Sequence, residues 1–319
     1  MPAGEDESGP KSLFGRPIAP MLAELADPFD SEEHLFEIKW DGARVIAFIH
    51  DGHLLLQSRR LLDITFRYPD LKDTLPRAVK RRRAILDGEL IAPGEGGRPD
   101  FRLLQSREQQ FNPFRIRVAA EQVPVTYMAF DVLQVGERVL INHPLAERRR
   151  VLSWLLRPGP HIAVSQAMPA HGRAMFEAVR SQGLEGLMAK RLDSPYLIGR
   201  RSRLWLKVKP RVSGVFPIIG YTAGEGWREA LGALVVGEYV KGHLTYRGRV
   251  GSGLTDETIR ELLARLRPLE TGEQSVAGRH KLKMTRWVRP VLKCRVSYQE
   301  RTKSGALRAP VFEGLVEGE

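Results

Sequence analysis

The chain has 319 residues, a length that suits two domains better than one, and 42% of them are hydrophobic, enough to bury real cores and to exclude global disorder. A single cysteine, Cys294, excludes a disulfide within the chain and a cysteine-based zinc site. The formal net charge of +12 points to a polyanion, nucleic acid before an anionic membrane surface, with a plain solubility charge as the alternative; both parts are positive, +5 over residues 213–319 and +7 over the rest.

The first 15 residues, "MPAGEDESGPKSLFG", are polar and acidic, read as a disordered lead-in, and lack the apolar stretch of a signal peptide. No later run approaches a membrane span, and a reducing cytoplasm is the expected compartment. Residues 16–210 then alternate short β-like runs with helical patches, in an α+β pattern. "FEIKW" is followed by "ARVIAFIH-DG-HLLLQSR", two apolar strands around Asp51-Gly52, which predicts a hairpin with His50 facing His53. Counting outward sets Arg44 opposite Arg59. Two facing arginines fit either an anion held between them or an exposed pair at the hairpin base.

Farther along, "DLKDTLPRAVKRRRA" predicts a helix with "KRRR" (80–83) at its solvated end, a phosphate contact being the alternative for those cations, and "AILDGELIA" a strand. "GEGGRPD" (94–100) reads as a loop, "VTYMAFDVL" as a strand, "PLAERRRVLSWLL" and "GRAMFEAVRSQ" as helices, and "LWLKVK" as a strand. "KPRVSG" (209–214) is the expected linker. Residues 211–319 are β-rich with tight turns and one helix, "DETIRELLARLRPL", which predicts a small OB-fold barrel.

Period two along three of these strands puts charge on one face and apolar residues on the other. Glu37 and Lys39 oppose Phe36 and Ile38; Asp87 and Glu89 oppose Leu86 and Leu90; Trp205, Lys207 and Lys209 oppose Leu206 and Val208. One such strand is ordinarily a solvated sheet face. Three in one domain predict a shared charged cleft.

At this point "EIKWDGAR" resembles the ExKxDGxR motif of ATP-dependent DNA ligases. The later segments resemble that family in the same order: "SRRLLDITFRYPDL" (58–71), "LDGEL" (86–90), "AFDVL" (129–133), "EGLMAKR" (185–191), "GRRSRLWLKVKP" (199–210) and the barrel stretch 286–315. The start "RPIAPMLAELADPF" and the barrel are similar to the ligase module of bacterial end-joining ligases. The resemblance covers residues 16 to about 315. It implies a nucleotidyltransferase (adenylation) domain of antiparallel sheets and flanking helices, followed by an OB-fold barrel.

The resemblance further implies ATP and a divalent metal, Mg²⁺ or Mn²⁺, and a covalent lysyl-adenylate on Lys39. That amine must attack unprotonated, which nearby cations and a metal favour. By the same resemblance Lys207 and Lys209 sit at the α-phosphate, Glu185 and Glu89 bind the metal with Asp41 as a further contact, and Phe130 stacks on adenine beside the backbone of Glu37. Arg44 holds ribose, Arg59 phosphate, and Arg201 the triphosphate; Trp205 is read as packing. The implied partner is double-stranded DNA with nicks or ends, with an end-binding protein and a separate repair polymerase as further partners. A monomer and no membrane are expected. In the barrel, Arg247, Arg249, Arg286, Arg289, Arg301 and Arg308 are expected to track DNA phosphates.

Two departures stand out. The second motif carries Arg60-Leu61 where the family has an Asn/Ser-Gly pair. The last motif, usually rich in Arg, Asp and Lys, reads "GLVEGE" (314–319). The latter bears on lysine adenylation: slow adenylation and replacement by another base such as Arg308 are both open. An RNA ligase or a GTP-using capping enzyme, and a non-catalytic nucleic-acid-binding relative, are the competing readings.

Overall fold

The computed structural model describes residues 12–223, 231–274, 276, 285–302 and 304–316. The chain forms two compact units that part between Lys209 and Pro210. Most of the expected lead-in lies outside the described residues. Its end does not behave as a tail: Leu13 is fully buried and its amide donates to Gln134 Oε1 at 2.7 Å, because an apolar slot beside Phe48 and Leu133 accepts it.

In the first unit the strands are β1 (Leu22–Ala26), β2 (Ser31–Ile38), β3 (Ala43–His50), β4 (His53–Ser58), β5 (Arg83–Ile91), β6 (Thr126–Val135), β7 (Arg138–Val139), β8 (Ile162–Val164), β9 (Ala167–Ala170), β10 (Leu187–Arg191) and β11 (Arg201–Val208). One sheet runs β1-β11-β10-β2-β9, the other β4-β3-β5-β6-β7 with β8 beside β6. Pairing is antiparallel except for β1 on β11 and β8 on β6. Asp51 and Gly52 both take positive φ, as a two-residue hairpin turn demands, and His50 faces His53.

The helices are α1 (Pro69–Lys72), α2 (Thr74–Ala78), α3 (Phe101–Glu108), α4 (Pro113–Gln122), α5 (Leu145–Leu155) and α6 (Gly172–Ser181). The helix expected over "DLKDTLPRAVKRRRA" is broken in two and stops at Ala78. Val79 instead bridges Leu156, and Lys80 N donates to Leu155 O at 3.0 Å, so "KRRR" is not a helix end. Helices α3 and α4 had local signals that the sequence reading passed over: Asp100 and Asn112 cap them, and Pro113 opens α4.

The layers follow from alternation. Along β3, Val45, Ala47 and Ile49 enter the core under the helices, while Ile46 and Phe48 enter the slab between the two sheets. Strand β11 sends Trp205 into that same slab, and Leu206 and Val208 to the far side, where α6 packs. Both faces of the inner strands are covered, so they read as near-continuous apolar runs.

In the second unit the strands are β12 (Val212–Thr222), β13 (Ala233–Val240), β14 (His243–Val250), β15 (Glu270–Thr271), β16 (Thr285–Val288), β17 (Lys293–Tyr298), β18 (Glu300–Arg301), β19 (Leu307–Arg308) and β20 (Val311–Val316), with α7 (Asp256–Leu266) between β14 and β15. The stretch expected as a linker is already strand from Val212. Strand β12 pairs β17 through Val212–Pro217 and β13 and β16 farther on, the shared long strand that bends a sheet toward closure. Phe312 N donates to Ser252 O at 2.9 Å, joining the end of β14 to β20 and giving an OB-type barrel. Helix α7 buries Ile259, Leu262, Leu263 and Leu266 in the barrel core. Among the described residues no helix is long and apolar enough to cross a membrane.

Candidate active site

The slab between the sheets is apolar at one end and charged at the other. The charged end opens as a cavity of about 350 Å³. Alternation delivers its lining: Glu37 and Lys39 from β2 and its exit, Arg44 from β3, Glu89 from β5, Phe130 from β6, Lys207 and Lys209 from β11 and its exit. Arg59, Glu185 and Arg201 complete the expected set, and Asp41 alone of the eleven stands outside. Asp41 lines a neighbouring hollow with Asp100 and Arg98. It is still in electrostatic reach: burial first, then Glu185, raises its carboxyl pKa.

Lys39 leaves β2 with its backbone N–H donating to Gly186 O at 2.9 Å, and its Nζ meets the Glu185 carboxylate. Lys209 Nζ binds the other oxygen of the same carboxylate at 2.8 Å. Burial pushes the Glu185 pKa up, but Lys39 and Lys209 outweigh it and hold the carboxyl below its usual range. Two glycines make this approach possible. A Cβ on Gly186 would lie 2.1 Å from Val208 O, and one on Gly42 would lie 2.1 Å from Leu90 O.

The β3–β4 ladder keeps the counted register down to Val45 opposite Ser58, which leaves Arg44 and Arg59 next in line, and both line the cavity. Strand β4 ends at Ser58, and Asp87 takes both ends of the guanidinium, Nε to Oδ1 and Nη2 to Oδ2, each 2.6 Å. Burial works against the Arg44 charge, yet Asp87 holds its pKa above the ordinary arginine range. Tyr196 Oη also donates to Asp87 and accepts from Met21 N at 3.1 Å, so the arginine is fixed by a buried network. Arg59 stands in a tight turn, Leu61 N to Ser58 O at 2.9 Å, that forces Leu61 to φ 65°. A glycine would take that angle without strain, which is the physical content of the departure at Arg60-Leu61.

Sequence reasoning missed Lys190. It is 2% exposed, pairs with the buried Glu37 carboxylate, and sits 3.9 Å from the Phe130 ring centroid and 4.3 Å from that of Trp205. Its pKa is lowered, by burial above all. Arg149 of α5 reaches Glu37 at 3.4 Å as well. Lys190 lies two residues past Met188 on the cavity face, so period two along "EGLMAKR" was the available signal. Trp205 is fully buried, as packing requires, and Trp40 donates from Nε1 to Ser165 Oγ at 3.0 Å at the cavity wall.

Among the described residues no three His, Cys, Asp or Glu side chains form a metal cage. The donor set nonetheless fits a divalent cation held mainly by phosphate oxygens and water, which needs one or two protein carboxylates. Glu89 is suited to this: burial lifts its carboxyl to about 7, with Arg44 and Lys39 offsetting only part, so its charged form lacks a full counterion. The folded value lies above the ordinary 4.5, so the folded protein retains a proton that the unfolded chain has lost. Stability therefore falls as pH rises from about 4.5 through 7. In EDTA, Glu89→Gln is expected to gain about 2 kcal/mol over wild type at pH 8 and nothing at pH 4. Urea denaturation at the two pH values measures it, and an equal difference at both refutes the assignment.

In the barrel four of the six expected phosphate-tracking arginines are tied to acids. Arg247 and Arg301 share Glu238, Arg308 binds Glu300 at 3.1 Å, and Arg286 reaches Glu270 at 3.6 Å. Arg249 and Arg289 are exposed. Of "GLVEGE", Gly314–Val316 lie in β20 and residues 317–319 lie outside the described residues.

Fold and site together define a nucleotidyltransferase domain followed by an OB-type barrel. The family model for the ATP dependent DNA ligase domain matches residues 20–209, and that for the ATP dependent DNA ligase C terminal region matches 227–318. The chain is 35% identical over 99% of its length to the multifunctional non-homologous end joining protein LigD of Pseudomonas aeruginosa, and 36% identical over 95% to a DNA ligase of Thermococcus onnurineus. It spans only 37% and 56% of those two proteins. It is also similar to the crystal structure of the ligase domain from M. tuberculosis LigD, at 31% identity and a TM-score of 0.57, covering 94% of this chain and 95% of that one. This chain belongs to the ATP-dependent DNA ligase family, whose members use ATP and a divalent metal.

Proposed function

We propose that this chain joins a 3′-hydroxyl to a 5′-phosphate in broken duplex DNA, using ATP and carrying AMP on Lys39. The observation that supports it is the shared Glu185 carboxylate, which holds the Lys39 and Lys209 amines together in a cavity that also receives Arg44, Arg59, Arg201 and Lys207. Phosphoryl transfer is mostly positioning and charge stabilisation, and that cluster supplies both.

Glu185 accepts a hydrogen bond from Lys39 Nζ and so aims it. The deprotonated amine attacks the α-phosphorus; the N–P bond forms, the bond to pyrophosphate breaks, and the amine's proton leaves toward Glu185. AMP then passes from Nζ to a 5′-phosphate on DNA, which restores the amine. Last, the 3′-hydroxyl attacks that phosphate and AMP departs with the electron pair. Glu89 and Glu185, with Asp41 at the rim, would hold a divalent cation, which would supply charge neutralisation at the phosphates. Arg44 is fixed to meet ribose and Arg59 to meet phosphate. Phe130 is the adenine platform, with the Glu37 backbone beside it.

The proposed setting is end joining, with duplex ends as substrate and an end-binding protein and a repair polymerase as partners. The test is a 5′-phosphorylated nicked duplex incubated with ATP, GTP or NAD in turn. Sealing with ATP is expected. Sealing of nicked RNA only, or labelling by GTP, overturns the reading in favour of an RNA ligase or capping-type enzyme.

A further inference from the structure

"KRRR" has no role in the cavity. Its last residue, Arg83, opens β5, whose far end carries Glu89, six residues and about 20 Å away at ~3.3 Å per residue. What the structure sets beside it is an exposed tryptophan. Helix α5 buries Leu145, Arg148, Leu152 and Leu155 on one face, and Trp154 lies off that face, 48% exposed. Lys80 Nζ stands 5.6 Å and Arg81 Cζ 5.2 Å from its ring centroid. The two segments are zipped together, since Arg157 N donates to Ala78 O at 2.9 Å and Lys80 N to Leu155 O at 3.0 Å. The tryptophan and its cations are therefore held on a rigid base.

The surroundings are mainly basic, with Glu147 in the same hollow as Trp154. Arg77, Arg150 and Arg157 are exposed beside this pair of segments. The adjoining acids are already engaged: Glu147 with Arg138 and His143, Asp51 with Arg82. An indole with cations at its ring and an exposed surface is the combination that takes an unstacked base together with its phosphates. A duplex hides its base faces, so the matching ligand is single-stranded.

We propose that Trp154, Lys80 and Arg81 form a second nucleic-acid contact, outside the cavity, for the unpaired bases of a single-stranded extension. This goes beyond the sealing reaction and needs no AMP transfer to be read. The probe is a fluorescent 12-mer oligothymidylate, its binding to the full chain followed by anisotropy across a salt series, with a blunt nicked duplex for comparison. Trp154→Ala is expected to weaken oligothymidylate binding about ten-fold or more while the duplex changes little. Trp154→Phe keeps most of the affinity, and Arg81→Gln lowers the salt slope by about 0.7. Circular dichroism melts show whether each variant folds. Equal binding by wild type and Trp154→Ala overturns the proposal. So does equal weakening toward duplex and single strand, or displacement of the oligonucleotide by polyglutamate at matched charge, which marks an acidic-protein site.

Discussion

With α-labelled ATP and Mg²⁺, wild type is expected to carry label through denaturing electrophoresis, and Lys39→Ala to carry none. Overall sealing with ATP should fall by about 10³-fold or more, because no neighbouring group replaces a covalent nucleophile. Two of the other cavity amines are already paired, Lys190 with Glu37 beneath two aromatic rings and Lys209 with Glu185. Sealing of a nick that already carries AMP should survive, since the last step uses the 3′-hydroxyl as nucleophile. It should lose about ten-fold, the cost of one cation near the phosphate. Lys39 is partly exposed, so its loss spares the fold. Label on Lys39→Ala would move the nucleophile to another lysine, and loss of both activities would give Lys39 a role in the later chemistry. Wild type also tests the acidic "GLVEGE" ending directly, through its rate of labelling.

The second large effect concerns stability. Asp131→Ala is expected to cost about 3–5 kcal/mol, because it strands a buried guanidinium. Arg148 and Asp131 are both fully buried and joined by two bonds of 2.8 Å. Arg148 further donates to His143 O at 2.6 Å and Ser194 O at 2.7 Å, so it ties α5, β6 and the segment after β10 together. Asp131→Leu combined with Arg148→Met should lose less than the single change, since no unpaired charge remains. Urea denaturation of the three proteins decides it. A loss below about 1 kcal/mol for Asp131→Ala would mean that water reaches the arginine. Because Phe130 precedes Asp131, the weakened variant should also loosen the cavity wall.

Local pattern was enough for much of this. Period two in "FEIK", "LDGEL" and "WLKVK" separated the charged face from the core face, and the Asp51-Gly52 turn set the hairpin register. These are short-range consequences of the pleat and of positive φ, so they survive in any fold. Within "AFDVL", by contrast, the acid is structural: only the arrival of Arg148 from α5 shows that Asp131 serves the core.

What the tertiary structure decided was which partner each charge received. Arg44 follows the register counted against Arg59, but it is β5, on its other side, that brings Asp87 to fix its guanidinium. Four barrel arginines expected at DNA are held by Glu238, Glu300 and Glu270. Lys190, which the strand pattern did not single out, is enclosed by Glu37 and two aromatic rings. "KRRR" looked like a helix end until Leu155 and Leu156 drew that segment away and left Trp154 beside it. The alternation of a strand states which face a side chain takes. The charge that meets it there comes from residues tens of positions away, and only folding chooses among them.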